Sequence, residues 1–223
     1  MNVLVLAPAV PWPLDSGSKI RMYHVIKGFR EAGYKVTLAC LSNSRSIPAA
    51  ISRICDSVYV VPHRTNKYWS FVKGVISRRS YHEVLWDNQE FRVLVSRILN
   101  SDNVDLVWVN FLGMVPYVTD WAVNGRRKAK IALDEHNNDV GYWESFQYGG
   151  VLAGFLGRVN VRAVKRLQRM VRDRLDVLVC VSSSEAREAQ RTWLHGARTH
   201  VIVLPNGADL TRYYQRPDPK VGN

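Results

Sequence analysis

The chain has 223 residues, 47% hydrophobic and 22% charged, a globular balance without a low-complexity stretch or an internal repeat. Its 31 Lys and Arg residues exceed its 19 Asp and Glu residues, which gives a formal net charge of +12. This charge excludes no anionic partner: phosphates, nucleic acid, a membrane surface and a plain basic surface all stay open.

Seven short apolar runs predict the strands of one sheet. Most are almost continuously hydrophobic, which is typical of strands buried on both faces of a parallel sheet. In chain order the runs are Asn2–Pro8, Lys35–Leu41, Ser57–Pro62, Asp105–Asn110, Lys130–Glu135, Asp176–Ser182 and His200–Pro205.

Helical patterns lie between most of these runs, and the clearest are Ser18–Ala32, Asp87–Leu99 and Ser183–Trp193. Gly33 is expected to cap the first of these helices at its C-terminus. Alternating strands and helices predict an α/β fold, a Rossmann-like, doubly wound and mostly parallel sheet of about seven strands. Residues 1–205 are predicted to form one domain, and 206–223 a linker or tail.

Several classes of site and location are disfavoured. Cys40, Cys55 and Cys180 are far apart and show no zinc spacing, so we expect buried, reduced thiols and neither a disulfide nor a metal site. No Lys or Arg precedes the N-terminal apolar run, so a signal peptide is not expected. No uncharged apolar segment is long enough to span a bilayer. A cytoplasmic location is predicted, with peripheral binding to the inner face of the membrane as a further option.

Ligands of doubly wound sheets bind beyond the carboxyl ends of the strands, so the loops there hold the candidate residues. The loop after the first strand lacks GxGxxG, but Gly17 stands at a helix start, where an anion can approach backbone N–H groups. Lys19 and Arg21 add positive charge. The structural alternative is a glycine that serves only a turn.

The loop after the fifth strand, LDEHNN, is more polar than a turn requires. His136 could donate to a hydroxyl or phosphate, or accept a proton, and Asp134 could orient it. Asn137 is a further candidate for substrate binding. The structural alternative is a histidine that only supports the fold.

Two later loops give weaker signals. Ser182 either caps the next helix, which is the favoured interpretation, or binds a hydroxyl. Asn206 and Gly207, with Asp209, form a turn whose backbone could contact an anion, and a simple turn is equally compatible.

A basic amphipathic helix is predicted within Gly149–Asp176, where apolar residues recur at near-helical spacing. Such a helix can lie on an anionic bilayer, or it can cover the sheet and expose a solvated basic face. No nucleic-acid-binding motif accompanies the charge, so nucleic acid is disfavoured as a partner. The residues expected at the membrane are Arg158, Arg162, Lys165, Arg166 and Arg169.

Four phrases in the expected order carry a family resemblance: PWPLDSGSKIRMYHVIKGFREAGYKVTL, LDEHN, DVLVCVSSSEAREAQ and VIVLPNGADLTRYY. Together they resemble the N-terminal, acceptor-side domain of the family-4 retaining glycosyltransferases, which have the two-domain GT-B fold. The resemblance covers nearly the whole chain. LDEHN is most similar to members that assemble bacterial surface polysaccharides.

The resemblance implies roles for single residues. Gly17 would lie by the donor pyrophosphate, and Arg21 would support that loop or a phosphate. His136 would approach the donor sugar, while Asn206, Gly207 and Asp209 would shape the interdomain hinge. A sugar or glycolipid acceptor would bind mainly to this domain, often beside a membrane, and no metal or other cofactor is expected.

Two departures from the family pattern matter. Ser16-Gly17 stands where many members have a Gly-Gly pair, so a ligand would have less room to approach the backbone. The family's second domain, with its Glu-x7-Glu phrase for the nucleotide sugar, is not expected in these residues. The chain should therefore bind donor only with a second domain in cis or in trans, and be inactive alone. The alternative is a non-catalytic module that binds a membrane surface or a partner.

Overall fold

The computed structural model describes residues 1–101, 103–123 and 129–207. The strands of this part form a single sheet in the order β3-β2-β1-β4-β5-β6-β7, and every adjacent pair is parallel. The strands are β1 Asn2–Ala7, β2 Lys35–Ser42, β3 Ser57–Pro62, β4 Leu106–Asn110, β5 Lys130–Glu135, β6 Val177–Cys180 and β7 His200–Val203. The predicted Rossmann-like fold and its seven strands are confirmed.

Helices connect the strands and cover both faces of the sheet. The described α-helices are α1 Gly17–Glu31, α2 Ala49–Ser52, α3 Lys67–Ser77, α4 Tyr81–Leu85, α5 Gln89–Ser101, α6 Pro116–Val123, α7 Asp139–Glu144, α8 Val151–Val171 and α9 Ser183–Arg191. Short 3-10 helices lie between these elements, at Leu112–Met114, Ser145–Gly149 and Arg172–Arg174.

The core has two halves because successive strand side chains point to opposite faces of the sheet. On one face, Val3 and Val5 of β1 pack with Met22 and Ile26 of α1. On the other face, α5, α6, α8 and α9 cover the strands. Burial on both faces explains why the strands are continuous apolar runs rather than alternating ones.

Local sequence signals set the helix ends. Gly33 follows α1 with a φ of +80°, as expected of a C-terminal glycine. The Ser182 hydroxyl accepts a hydrogen bond from the Glu185 backbone N–H at 3.3 Å at the start of α9, which confirms the favoured capping role.

The basic helix α8 lies on the sheet with its apolar side inward. Val164, Leu167 and Val171 are buried in the core. The basic side chains expected at the membrane, Arg158, Arg162, Lys165, Arg166 and Arg169, are all exposed. In the residues that the structure describes, no helix combines the length and apolar character needed to cross a bilayer. Much of the apolar stripe is thus buried against the sheet, and the basic side faces outward together with the exposed apolar side chains of Val151, Phe155 and Met170.

The three cysteines are buried, as predicted. Cys40, Cys55 and Cys180 are free and buried. Burial raises the pKa of each thiol to about 12, which keeps all three protonated.

The order of the strands in the sheet indicates where a ligand would bind. The strand order reverses between β1 and β4, and the crevice of a doubly wound sheet opens beyond the carboxyl ends of strands at such a point. β1 ends at Ala7, β4 at Asn110 and the adjacent β5 at Glu135.

Candidate functional site

The N-terminus of α1 lies beside this crevice. Ser16 precedes the helix without a side-chain cap, so no side chain caps the first N–H groups. A Cβ added to Gly17 would meet no atom within 4 Å, so the fold itself does not require glycine there. Lys19 pairs with Asp15 at 2.9 Å, so its charge is partly neutralised by a neighbour one turn away.

Arg21, one turn further along α1, joins three parts of the chain. Its Nη2 lies 2.6 Å from Asp134 Oδ1, and its Nε lies 3.0 Å from both carboxylate oxygens. Its Nη1 donates to the Leu204 carbonyl at 2.7 Å and to Asn206 Oδ1 at 3.0 Å. The guanidinium therefore ties α1 to the end of β5 and to the segment after β7. The two roles expected for Arg21, support of the Gly17 loop or contact with a phosphate, stay predictions.

His136 is held by Asn110, at the end of β4. The Asn110 amide nitrogen donates to the Leu6 carbonyl at 2.9 Å, which leaves its oxygen facing His136 Nε2 at 3.0 Å. Nε2 must then carry the proton, and Nδ1 keeps a lone pair. Nδ1 is buried and has no hydrogen-bond partner within the described part of the chain.

This geometry corrects one sequence-based expectation about orientation. Asp134 Oδ2 lies 3.6 Å from His136 Nε2, which is beyond hydrogen-bonding distance, because both carboxylate oxygens are taken up by Arg21. Asn110, which the sequence analysis did not single out, makes the orienting bond instead.

The side chains of Asp134 and His136 are buried, and burial sets their protonation. Burial, with the nearby Arg21 charge, lowers the pKa of His136 to about 3, so the imidazole is neutral at physiological pH. Burial raises the pKa of Asp134, and the hydrogen bonds and charge of Arg21 oppose that rise. His136 thus offers a neutral acceptor at Nδ1 rather than a positive charge.

Phe111 covers the histidine. The two rings stack at a centroid distance of 4.0 Å with an interplanar angle of 28°. Phe111 has a φ of 71°, a conformation that bulky residues rarely adopt and that costs about 1–3 kcal/mol. Its backbone N–H donates to the Asp134 carbonyl at 3.0 Å. Backbone strain of this kind is common at ligand sites, but no feature of the sequence predicted it at Phe111.

A cavity of about 450 Å³ lies between α1 and the segment after β7. Four of the predicted donor-phosphate or substrate residues line it together: Gly17, Arg21, Asn206 and Gly207. Apolar side chains, including those of Ile20, Phe29 and Trp108, form much of the remaining wall.

Other predicted residues lie elsewhere. Asn137 is exposed, Ser182 caps α9, and Lys19 does not line this cavity. Asp209 lies outside the described residues, as does most of the predicted linker 206–223. Among the residues with described positions, no cluster of three or more His, Cys, Asp or Glu side chains could hold a metal ion.

Comparison with known families gives one match over most of the chain. The family model described as Glycosyltransferase Family 4 matches residues 16–212, which include Gly17, Arg21, Asp134, His136 and Asn206. None of the curated proteins gives a match.

Solved structures share the fold. Sucrose-phosphate synthase from Thermosynechococcus elongatus superposes with a TM-score of 0.62 at 13% identity, over 95% of this chain and 49% of the synthase chain. UGT2 from Phytolacca americana, solved with UDP-2fluoro-glucose and pterostilbene, gives 0.53 at 10% identity, over 97% and 57% of the two chains. A UDP-glucosyltransferase from Polygonum tinctorium gives 0.50 at 11%, over 98% and 55%.

These neighbours are GT-B glycosyltransferases, and the present chain spans about half the length of each. At such low identity the likeness establishes the fold alone.

Proposed function

Because the chain belongs to glycosyltransferase family 4, we propose that it is the acceptor-side domain of a retaining enzyme that transfers sugar from a nucleotide-sugar donor. We place its reaction in polysaccharide or glycolipid synthesis, with a sugar or glycolipid as the acceptor. The observation that carries the proposal is the cavity along α1 that Gly17, Arg21, Asn206 and Gly207 line together.

The start of α1 suits the donor pyrophosphate. N–H groups without a side-chain cap and the positive end of the helix dipole favour an anion at this point. The missing side chain of Gly17 lets that anion come close to the backbone. Arg21 holds the surrounding segments in place through Asp134 and Asn206, so its own charge is already engaged.

His136 is proposed to act at the donor sugar as a neutral acceptor. Its Nε2–H is committed to Asn110, so a sugar hydroxyl would donate to the unpartnered Nδ1. Because the ring is buried under Phe111, this contact requires the Nδ1 edge to become accessible when substrate binds. No step in this role needs a charged imidazole.

We propose that residues 1–205 form this domain, that 206–223 link it to a donor-binding domain, and that transfer needs both. GT-B domains close around the donor and exclude water, which one domain alone cannot do. The cleft between the two domains would then lie beyond the carboxyl ends of the strands, where Asn206 and Gly207 leave β7.

The test is a transfer assay with a panel of labelled nucleotide sugars and lipid or oligosaccharide acceptors. The 223-residue chain is assayed alone and with a donor-binding second domain, joined in cis or added in trans. We expect turnover only when a second domain is present, in cis or added in trans. Robust turnover by the 223-residue chain alone would overturn the division of labour.

A second candidate function is a non-catalytic module that binds an anionic membrane surface, and the exposed basic side of α8 favours it. The same contact would place a glycosyltransferase peripherally at the inner face of the membrane. Each basic residue near such a surface contributes about 1 kcal/mol. The exposed residues concerned are Arg158, Arg162, Lys165, Arg166 and Arg169.

Vesicle co-sedimentation tests this surface. Replacing Arg162, Lys165, Arg166 and Arg169 with Ala should weaken binding to anionic vesicles at least tenfold. A control variant loses the same charge from exposed residues elsewhere, namely Arg45, Arg53, Arg187 and Arg191. Equal binding of the two variants would remove α8 as the contact. Tight vesicle binding by a complete protein without transfer activity would favour the non-catalytic module.

A further inference from the structure

A second cavity of about 450 Å³ lies on the other face of the sheet, between α7, α8 and α9. Asp134 and Glu135 are consecutive in β5, so their side chains point to opposite faces. Asp134 meets Arg21 on the α1 face, whereas Glu135 lines this second cavity. The cavity is thus separate from the proposed donor site, although the two adjoin the same strand end.

Two polar side chains face this cavity from buried positions. Glu135 is 9% exposed and Gln168 of α8 is 4% exposed. Neither side chain forms a hydrogen bond or ion pair with any part of the chain that the structure describes. Their polar atoms are not among the fully enclosed ones, so they open into the cavity, where two largely buried polar side chains suit a polar ligand.

The charges around Glu135 decide the sign of that ligand. Acidic groups face it from α7 (Asp139 and Glu144) and from α9 (Glu185 and Glu188), and the cations of α8 are Lys165 and Arg169. Lys165 is already paired with Glu144 at 3.7 Å. Within the described residues, neither Glu185 nor Glu188 forms an ion pair, although Glu188 accepts a hydrogen bond from Asn138 at 3.0 Å.

The pKa of Glu135 reflects the negative charges around it. Burial raises its pKa well above the usual range, and the charges of Asp139, Glu185 and Glu188 raise it further. The surroundings of Glu135 are therefore negative inside a chain whose net charge is +12. A bound cation would reverse the effect and favour the carboxylate.

We propose that this cavity binds a small organic ammonium ligand, held by Glu135 and Gln168. An ammonium group has three N–H donors. The carboxylates of Glu135 and Glu188 and the side-chain amide oxygen of Gln168 supply the acceptors. The apolar wall of Val140, Ala189 and Trp193 suits the carbon skeleton. A cavity of this size lies in the usual range for small-molecule sites.

A metal ion is a poorer fit. The described residues hold no cluster of three side chains with metal-ligand chemistry, and the wall is partly apolar. The proposal does not depend on glycosyl transfer, so it can fail or succeed independently of the function proposed above.

Isothermal titration calorimetry on the 223-residue chain tests the ligand class with three hexoses of similar size. Glucosamine carries the ammonium group, glucose is neutral, and glucuronic acid is anionic. Ethanolamine serves as a smaller ammonium probe. We expect saturable binding of at least one amine, and at least tenfold weaker binding of glucose and glucuronic acid. At pH 6 amine binding should release protons, because Glu135 ionises as the cation binds.

Variants then assign the site. Glu135→Gln keeps the shape of the protonated acid, and we expect it to weaken amine binding at least tenfold and to abolish proton release. Glu188→Gln changes an exposed residue and should weaken binding at least threefold, which decides the question if Glu135→Gln does not fold. Glu90→Gln, an exposed acid on α5, is the matched control and should change nothing.

Several results would overturn the proposal. They are no saturable binding of either amine, glucose binding as tightly as glucosamine, or unchanged amine binding in folded Glu135→Gln or in Glu188→Gln.

Discussion

Replacing Arg21 with Met should destabilise the domain by about 3–5 kcal/mol at neutral pH. The change removes the bidentate contact with Asp134 and the bonds to the Leu204 carbonyl and Asn206. Asp134 is fully buried, so it would remain as an uncompensated charge, and breaking a buried pair on one side typically costs this much. The free energy of unfolding of a whole domain is about 5–15 kcal/mol, so this loss is a large fraction of it.

The penalty should depend on pH with a definite sign. Arg21 lowers the pKa of Asp134, so its removal lets burial raise that pKa further. At pH values between the unfolded-state and the folded-state pKa of Asp134, the folded variant keeps a proton that the unfolded chain gives up, and above the folded-state pKa the buried carboxylate is charged. Its penalty relative to the wild type is smallest in acid, and it grows by up to about 1.36 kcal/mol per pH unit until the raised pKa is passed.

Urea denaturation followed by circular dichroism at pH 5 and pH 7.5 measures both effects. The double variant Arg21→Met/Asp134→Leu should recover at least half of the loss, because it no longer buries a lone carboxylate. Arg30→Met is the control: its pair with Asp56 at 2.9 Å is partly exposed, so the cost should stay below about 1 kcal/mol. A loss below about 1 kcal/mol in Arg21→Met, or no recovery in the double variant, would refute the reasoning.

Three further changes test the site and its surroundings. Gly17→Ala should leave thermal stability unchanged or slightly higher, because the added Cβ meets nothing within 4 Å. The same change should slow transfer by the two-domain protein at least tenfold, because it keeps the anion away from the backbone. Full activity of this variant would exclude a close approach of an anion at Gly17. His136→Gln should lower the transfer rate about 10²-fold or more, and an effect within a few fold would remove it from the reaction centre. Burial raises the pKa of Asp139 from 3.8 to about 7, so its contribution to stability is present in acid and lost as the pH rises from about 4 to 7. Asp139→Asn should flatten that part of the stability profile measured by urea denaturation, and an unchanged profile would contradict the assignment.

The sheet was predictable because burial on both faces leaves a strong mark on sequence. The predicted bounds of Ser57–Pro62 and Lys130–Glu135 are those of β3 and β5, and the others differ by one or two residues at one end or, for β6, at both ends. Several short helices were missed. α4 and α7 have five and six residues, too few turns to show a helical period, and α3 contains Gly74 among aromatic and β-branched residues.

The site was predictable only residue by residue. Polar groups at strand ends pointed to His136 and Asp134, and the start of α1 pointed to Gly17 and Arg21. The partners were not predictable, because they depend on strand register: Asn110 pairs with Asp134 across β4 and β5, which brings its amide to His136. No local pattern marks such a contact between residues 26 positions apart.

The same limit applies to Glu135. The sequence analysis gave it no role, and strand alternation turns it to the face opposite Asp134, among side chains of α7, α8 and α9. Tertiary placement, rather than spacing in the sequence, separates the two cavities.

The anomeric configuration of the first product tests the central claim most directly. The chain is combined with a second domain, in cis or in trans, and incubated with nucleotide sugar and acceptor, and the new glycosidic bond is followed by proton NMR before any equilibration. We predict a bond with the configuration of the donor, formed by the wild type and strongly reduced in His136→Gln. An inverted product, or no product from any donor in the panel, would contradict retaining transfer at this site.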